Sequence, residues 1–217
     1  MNERLHDAGI LSFAMRLVLA SASPRRSELL TAAGFRFEIL VADVDETARP
    51  GESPREYVRR LAREKAVAAL ARLKSGVEPA LVLGADTTVV VDGEILGKPV
   101  DLADAERMLR LLSGRSHTVL TGVAVTTIDA QADAVVETEV FVNALSEEQV
   151  AWYVGSGEGL DKAGAYAIQG LASRFITRID GSYSNVVGLP VAAVDELIRT
   201  VAARSGALAS GIASELF

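Results

Sequence analysis

Regular patterning begins at Arg16. Arg16–Ala20 is a short apolar run that predicts a strand. Ser23-Pro24 then opens a helical pattern lasting to Gly34: serine suits the cap, proline the first helical position and glycine the stop. Phe35–Ala42 alternates as a second strand. Ser53-Pro54-Arg55-Glu56 is a capping box with proline at the first helical position, and it predicts a helix to about Lys74. Ala80–Val91 is a long apolar strand pattern closed by Asp92-Gly93, a strong hairpin turn. Asp101 caps a helix ending near Gly114, and Thr118–Thr127 and Ala134–Asn143 read as a long antiparallel pair. Ser146 with Gln149 forms a second capping box for a helix through Trp152. A strand near Arg174–Ile179 and a helix from Pro190 follow. Strands alternating with helices, together with long hairpins, predict an α/β fold with a mixed sheet. Residues 1–15 read as a flexible N-terminal arm, 16–200 as one domain and 201–217 as a C-terminal extension.

Composition narrows the chemistry. Of the 217 residues, 49% are hydrophobic and 24% charged, the balance of a globular chain and not of a disordered one. With no cysteine there is no disulfide frame and no thiol nucleophile, and two histidines leave little room for a multi-histidine metal site. Any metal is therefore expected on oxygen ligands, as magnesium or manganese. The net charge of −7 comes from the second half: residues 1–115 carry 17 basic and 17 acidic groups, residues 116–217 carry 5 and 12. That distribution argues against a broad nucleic-acid face, while leaving cations in the first half for a small anion. The longest uncharged run, Gly181–Val194, is 14 residues long and includes glycine, serine, asparagine and proline, too short and too polar for a membrane span. The expectation is a cytoplasmic protein without membrane or nucleic-acid partners.

Several familiar sites are missing. There is no G-x-x-x-x-G-K-[ST] loop and no nucleophile elbow to support a serine triad around His117. Gly155-Ser-Gly157-Glu-Gly159-Leu160 departs from G-x-G-x-x-G and follows a helix instead of a strand. Three stretches remain. Ser21-Ala22-Ser23-Pro24-Arg25-Arg26 joins a strand to a helix whose first turn carries two arginines, where cations oppose the helix dipole. The stretch reads either as an anion site or as a well-capped helix with solvated arginines. Asp43-Val44-Asp45-Glu46 reads either as a metal or catalytic cluster or as a solvated acidic loop. Asp86 in Gly84-Ala85-Asp86-Thr87-Thr88 lies inside an apolar strand, where a carboxylate needs a partner or a ligand. Lys65 sits among Arg59, Arg60, Arg63 and Glu64, and Lys98 lies between Gly97 and Pro99. Gln169 supplies the donors and the acceptor needed to read a base edge, or to stabilise a turn.

Read in order, SASPRR (21–26), DVDE (43–46), LAREKA (61–66), GADTTVVVDGEILGKP (84–99), SGRSHTVLTGVAV (113–125), DKAGAYAIQG (161–170) and GSYSNVVGLP (181–190) resemble the Maf family of nucleoside triphosphate pyrophosphatases. The resemblance implies an elongated mixed sheet flanked by helices, with two lobes and a central cleft as in inosine-triphosphatase-like folds. It also implies a homodimer, a divalent cation (Mg2+ or Mn2+) and hydrolysis of a nucleoside triphosphate to monophosphate and pyrophosphate. It puts Asp86 at the catalytic acid/base position. Ser21, Arg26, Lys65 and Lys98 fall at phosphate-handling positions, and Glu46 and Asp86 at metal-handling ones. Arg25, Thr87 and Gln169 match the selectivity positions of the branch that prefers dTTP and UTP. The 7-methyl-GTP branch typically has Gln and Glu in place of Thr87 and Gln169. Two other readings compete. Phe37–Thr47, an apolar strand followed by D-x-D-x-T, is similar to the nucleophile motif of haloacid-dehalogenase-type phosphatases. A nucleotide-binding regulator of cell division without catalysis is the other.

Overall fold

The capping signals set the helices of the computed structural model, which describes residues 15–73 and 79–205. Strand β1 (Arg16–Leu19) leads into helix α1 (Pro24–Ala32), then β2 (Phe37–Ile39) and α2 (Pro54–Arg72). Ser53 and Glu56 close their capping box on α2. Ser23 does not cap α1 with its side chain, contrary to the sequence expectation. Its own backbone N–H instead donates to the Ser21 hydroxyl at 3.2 Å. Strands β3 (Ala80–Val91) and β4 (Glu94–Leu96) form the hairpin, with Asp92 and Gly93 both at positive φ as the turn demands. Helix α3 (Leu102–Leu112), the long pair β5 (Ser116–Thr126) and β6 (Gln131–Val142), and α4 (Glu147–Gly155) come next. The last elements among the described residues are β7 (Ile176–Asp180), α5 (Tyr183–Val187) and α6 (Val191–Arg204).

The seven strands make one mixed sheet in the order β2-β1-β3-β5-β6-β7, with β4 also paired to β3. Pairing is parallel among β2, β1 and β3 and antiparallel elsewhere. The second strand is much shorter than the Phe35–Ala42 alternation suggested. It is a sheet edge, and β1, its only partner among the described residues, stops at Leu19. Helix α2 closes at Arg72; Lys74 lies outside the described residues. Helix α5 was not expected. Ser182 opens it by accepting from the Asn185 N–H. At the front of the domain Met15 is 6% exposed and packs with Leu17 and Leu30, so the core reaches one residue into the expected arm.

Alternation along β3 explains the layers. Leu81, Leu83 and Ala85 face a core shared with Leu30 of α1 and Val194 and Ile198 of α6. Further along the same face, Val89 and Val91 join a second core with Leu109 and Leu112 of α3 and Tyr153 of α4. The opposite face carries Val82 against Ala62, Ala66 and Ala69 of α2. That contact is close because the sheet has glycine there. A Cβ on Gly84 would fall 2.1 Å from the Ala62 carbonyl oxygen, and one on Gly122 would fall 2.2 Å from that of Val58. An opening at this level of β3 is bordered by Thr87 on the first face and by Asp86 on the α2 face.

Candidate active site

This opening is a cleft of about 610 Å3. Ser21, Arg25, Arg26, Glu46, Lys65, Asp86, Thr87, Lys98 and Gln169 all line it, brought together from α1, α2, β3 and four loops. Asp43 lines it as well. Asp45 is instead tied to its own turn, accepting from the Thr47 N–H at 2.9 Å, and the Thr47 side chain and backbone together hold its carboxyl below the usual range.

Asp86 forms the centre. It is 7% exposed, and its neighbour in register across β5 is Gly122. Burial raises its pKa, against the pull of Lys65 and Arg26. The close seat of α2 on Gly84 and Gly122 brings Lys65 down onto it. Lys65 Nζ lies 2.7 Å from Asp86 Oδ1 and 2.7 Å from Glu46 Oε1, so one ammonium joins two carboxylates. Tyr57, two turns earlier on α2, donates to the Glu46 carbonyl at 3.0 Å and anchors that loop. Its phenol is pushed up to about 12 by burial, with Asp86 and Glu46 adding to the effect. Tyr57 is not among the residues singled out from sequence; its spacing of eight from Lys65 on one helix is the only signal that could have found it.

Arg26 braces the opposite wall. Its Nε donates to the Gly188 carbonyl at 2.8 Å, and one terminal nitrogen donates to Ser21 Oγ and the Ala85 carbonyl, each at 3.0 Å. The other terminal nitrogen reaches Thr87 Oγ1 at 3.1 Å. Burial lowers its pKa, with Asp86 pulling the other way, yet a guanidinium stays charged under any ordinary condition. Thr87 is thereby part of the Arg26 support, and its hydroxyl also lies 2.9 Å from that of Thr121. Thr121 bonds on to the Asn185 carbonyl at 3.2 Å. These partners come from distant segments and carry no local signal; residues 181–190 stand out in the sequence only as part of the family pattern.

Arg25 points across the mouth to Asp161 at 3.5 Å. Lys98 lines the cleft as an exposed cation with no ion pair among the described residues. Gln169 is exposed on the far wall, beyond Tyr166. Tyr166 is buried and its hydroxyl lies 2.7 Å from Nε2 of His117.

Comparison with known proteins gives the family. The family pattern described as Maf-like protein matches residues 16–201. The chain belongs to the Maf-like family. This Maf-like chain is 50% identical to a dTTP/UTP pyrophosphatase of Photobacterium profundum over 86% of its own length and 96% of the relative's. It is 55% identical to a dTTP/UTP pyrophosphatase of Shewanella oneidensis, covering 85% and 97% of the two chains. A solved nucleoside-triphosphatase / dITP/XTP pyrophosphatase from Mycobacterium abscessus aligns at 14% identity and a TM-score of 0.37, over 86% of this chain and 97% of that one, too loose a likeness to inform the site. No helix among the described residues is long and apolar enough to cross a membrane.

Proposed function

We infer that this Maf-like chain is a pyrophosphatase that hydrolyses dTTP and UTP to the monophosphate and pyrophosphate. The observation that carries the reading is the buried Asp86 carboxylate, held by Lys65 at the floor of a cleft lined with Arg25, Arg26 and Lys98. Relatives at 50–55% identity over almost their whole length bear the same activity in their names. Phosphoryl chemistry asks a protein chiefly for positioning and charge neutralisation. Arg26, Lys65 and Lys98 hold the phosphates, and Ser21 steers Arg26 toward them. The amide groups opening α1, which the Ser23 side chain leaves uncapped, add donors at the positive end of a helix. Asp86 orients a water and takes its proton; the water oxygen bonds to the α-phosphorus, and the bond to the bridging oxygen breaks to release pyrophosphate. Burial suits Asp86 to this work because a raised pKa makes the carboxylate a stronger base.

A magnesium or manganese ion fits the donor set. Glu46 and Asp86 offer hard oxygens close enough to share one ammonium, and magnesium in nucleotide enzymes takes one or two carboxylates together with the substrate phosphates. Among the described residues no group of three or more His, Cys, Asp and Glu forms a protein-only cage. Glu46 and Asp86 would hold the ion, which supplies charge neutralisation on the phosphate oxygens when bound.

Gln169 with Arg25 and Thr87 sets the base preference. A uracil or thymine edge alternates acceptor and donor, which a neutral amide answers on both counts and a carboxylate does not. Thr87 acts in this through its hold on Arg26. The reading includes a cytoplasmic homodimer acting on free nucleotides, supported by the family resemblance and the acidic net charge. The test is product analysis for UTP, dTTP, GTP and 7-methyl-GTP, with magnesium or manganese. Pyrophosphate from UTP and dTTP is expected. Inorganic phosphate as the product would point to a phosphatase, fastest turnover of 7-methyl-GTP to the other branch, and binding without turnover to a regulator.

A further inference from the structure

We propose that Glu158 is the positioning residue of the base-reading wall: its carboxylate fixes residues 167–172 and with them Gln169. This deepens the proposed function and rests on it for the role of Gln169. Glu158 belongs to the Gly155–Leu160 turn after α4, which matches no phosphate-binding pattern. Its Oε1 accepts from the Tyr153 phenol at 3.0 Å and from the Leu171 and Ala172 N–H groups at 3.1 and 3.3 Å. Its Oε2 accepts from the Leu171 N–H at 2.9 Å. Tyr153, buried in the second core, accepts in turn from the Ala167 N–H at 3.3 Å. One carboxylate and one phenol thus hold the backbone on both sides of Gln169.

Three further observations agree. Among the described residues the Gln169 amide has no protein partner, so its place in the cleft is set by its backbone alone. Gly170 between them has φ 82°, and a Cβ there would lie 2.4 Å from Glu158 Oε2. The chain passes close over the carboxylate, in a left-handed conformation that favours glycine. The turn carrying Glu158 is itself held, because Lys162 Nζ donates to the Glu158 carbonyl at 2.6 Å. Bonds from N–H groups to an ionised carboxylate are among the stronger ones available, which suits a strut under a specificity loop.

The experiment uses the full chain with Glu158→Ala, Glu158→Gln and Tyr153→Phe. In Glu158→Ala, KM for UTP and dTTP should rise about tenfold, with kcat within about twofold of the parent and the preference for UTP over GTP reduced about tenfold. Glu158→Gln keeps an acceptor oxygen and should recover most of the loss; Tyr153→Phe should shift the same quantities less. Amide hydrogen exchange reads the strut without any substrate, and peptides covering 163–172 should exchange faster in Glu158→Ala, with Glu158→Gln closer to the parent. Unchanged exchange there overturns the proposal whatever the enzyme hydrolyses. So does an equal fall of kcat on all nucleotides with KM and preference unchanged. If the parent enzyme shows no preference for UTP and dTTP, the reading of Gln169 fails on its own, and the exchange result alone decides whether Glu158 holds the segment.

Discussion

At the scale of single residues, Asp86 and Lys65 define what the site is expected to do. Asp86→Asn keeps the shape and removes the base, so turnover should fall by at least about 100-fold in a protein that still folds; pyrophosphate release at saturating UTP measures it, and near-normal turnover would remove Asp86 from the chemistry. The pH profile carries a second expectation. The base works deprotonated, and burial raises the Asp86 pKa, so kcat/KM should climb with pH through a value above the 3.8 of a free aspartate. Lys65 is the largest influence pulling that pKa down. Lys65→Met should therefore move the acid limb of its residual activity to higher pH, and a limb left in place would separate Lys65 from the ionisation of Asp86. Asp86 was legible in the sequence as a carboxylate inside an apolar strand. Lys65 was not legible from its surroundings, where three arginines suggested a solvated face. Of those arginines only Arg63 is exposed; Arg60 pairs with a covered Glu52, Arg59 and Arg63 with Asp133, while Lys65 reaches Asp86.

At the scale of elements, the seat of α2 on the sheet decides where Lys65 ends. Gly84→Ala drives a methyl into the Ala62 carbonyl and the Ala66 backbone, and a rigid helix answers by moving as a whole. Stability should drop by about 1–3 kcal/mol, as overpacking commonly does. Turnover should fall with it even where the protein is fully folded. Urea unfolding and UTP hydrolysis on the same sample check both; a stability loss with unchanged turnover would mean that α2 absorbs the methyl without displacing Lys65. The caps at Ser53, Asp101 and Ser146, and the Asp92-Gly93 turn, were readable because each is a matter of a few adjacent residues. The short edge strand β2, the uncapped start of α1 and the turn around Glu158 were not. Alternation alone does not reveal where an edge loses its neighbour, and the Ser23 and Glu158 bonds follow no capping or turn pattern that residue types would show.

At the scale of the molecule, acid stability is expected to depend on His117. Burial lowers its pKa from 6.5 to about 4, so the folded form stays neutral where the unfolded chain takes up a proton. This contribution is fully present above pH 6.5 and is lost as the pH falls toward about 4. By linkage it is worth roughly 3 kcal/mol at the acid end. His117→Gln keeps a partner for Tyr166 and removes the titration. Its loss of unfolding free energy between pH 7 and 4.5 should be smaller than the parent's by about 2 kcal/mol, and an equal loss would assign the acid sensitivity elsewhere. The α/β class, the mixed sheet and the seven-motif resemblance were all available from sequence. The meeting of the motifs in one cleft was available only through the resemblance and not from the residues themselves, because it depends on β3 serving two cores at once.

That shared strand has a mechanical meaning. From Val82 opposite Thr126 to Val90 opposite Thr118, β3 and β5 stay in unbroken register beneath both walls of the cleft, like a girder under two piers. Spreading the walls as a jaw would require bending that girder and every rung across it. Admission of a nucleotide therefore falls to the loops at the rim, and the frame keeps its dimensions. X-ray scattering in solution should return the same radius of gyration with and without a non-hydrolysable UTP analogue, and a contraction on binding would mean that the girder flexes.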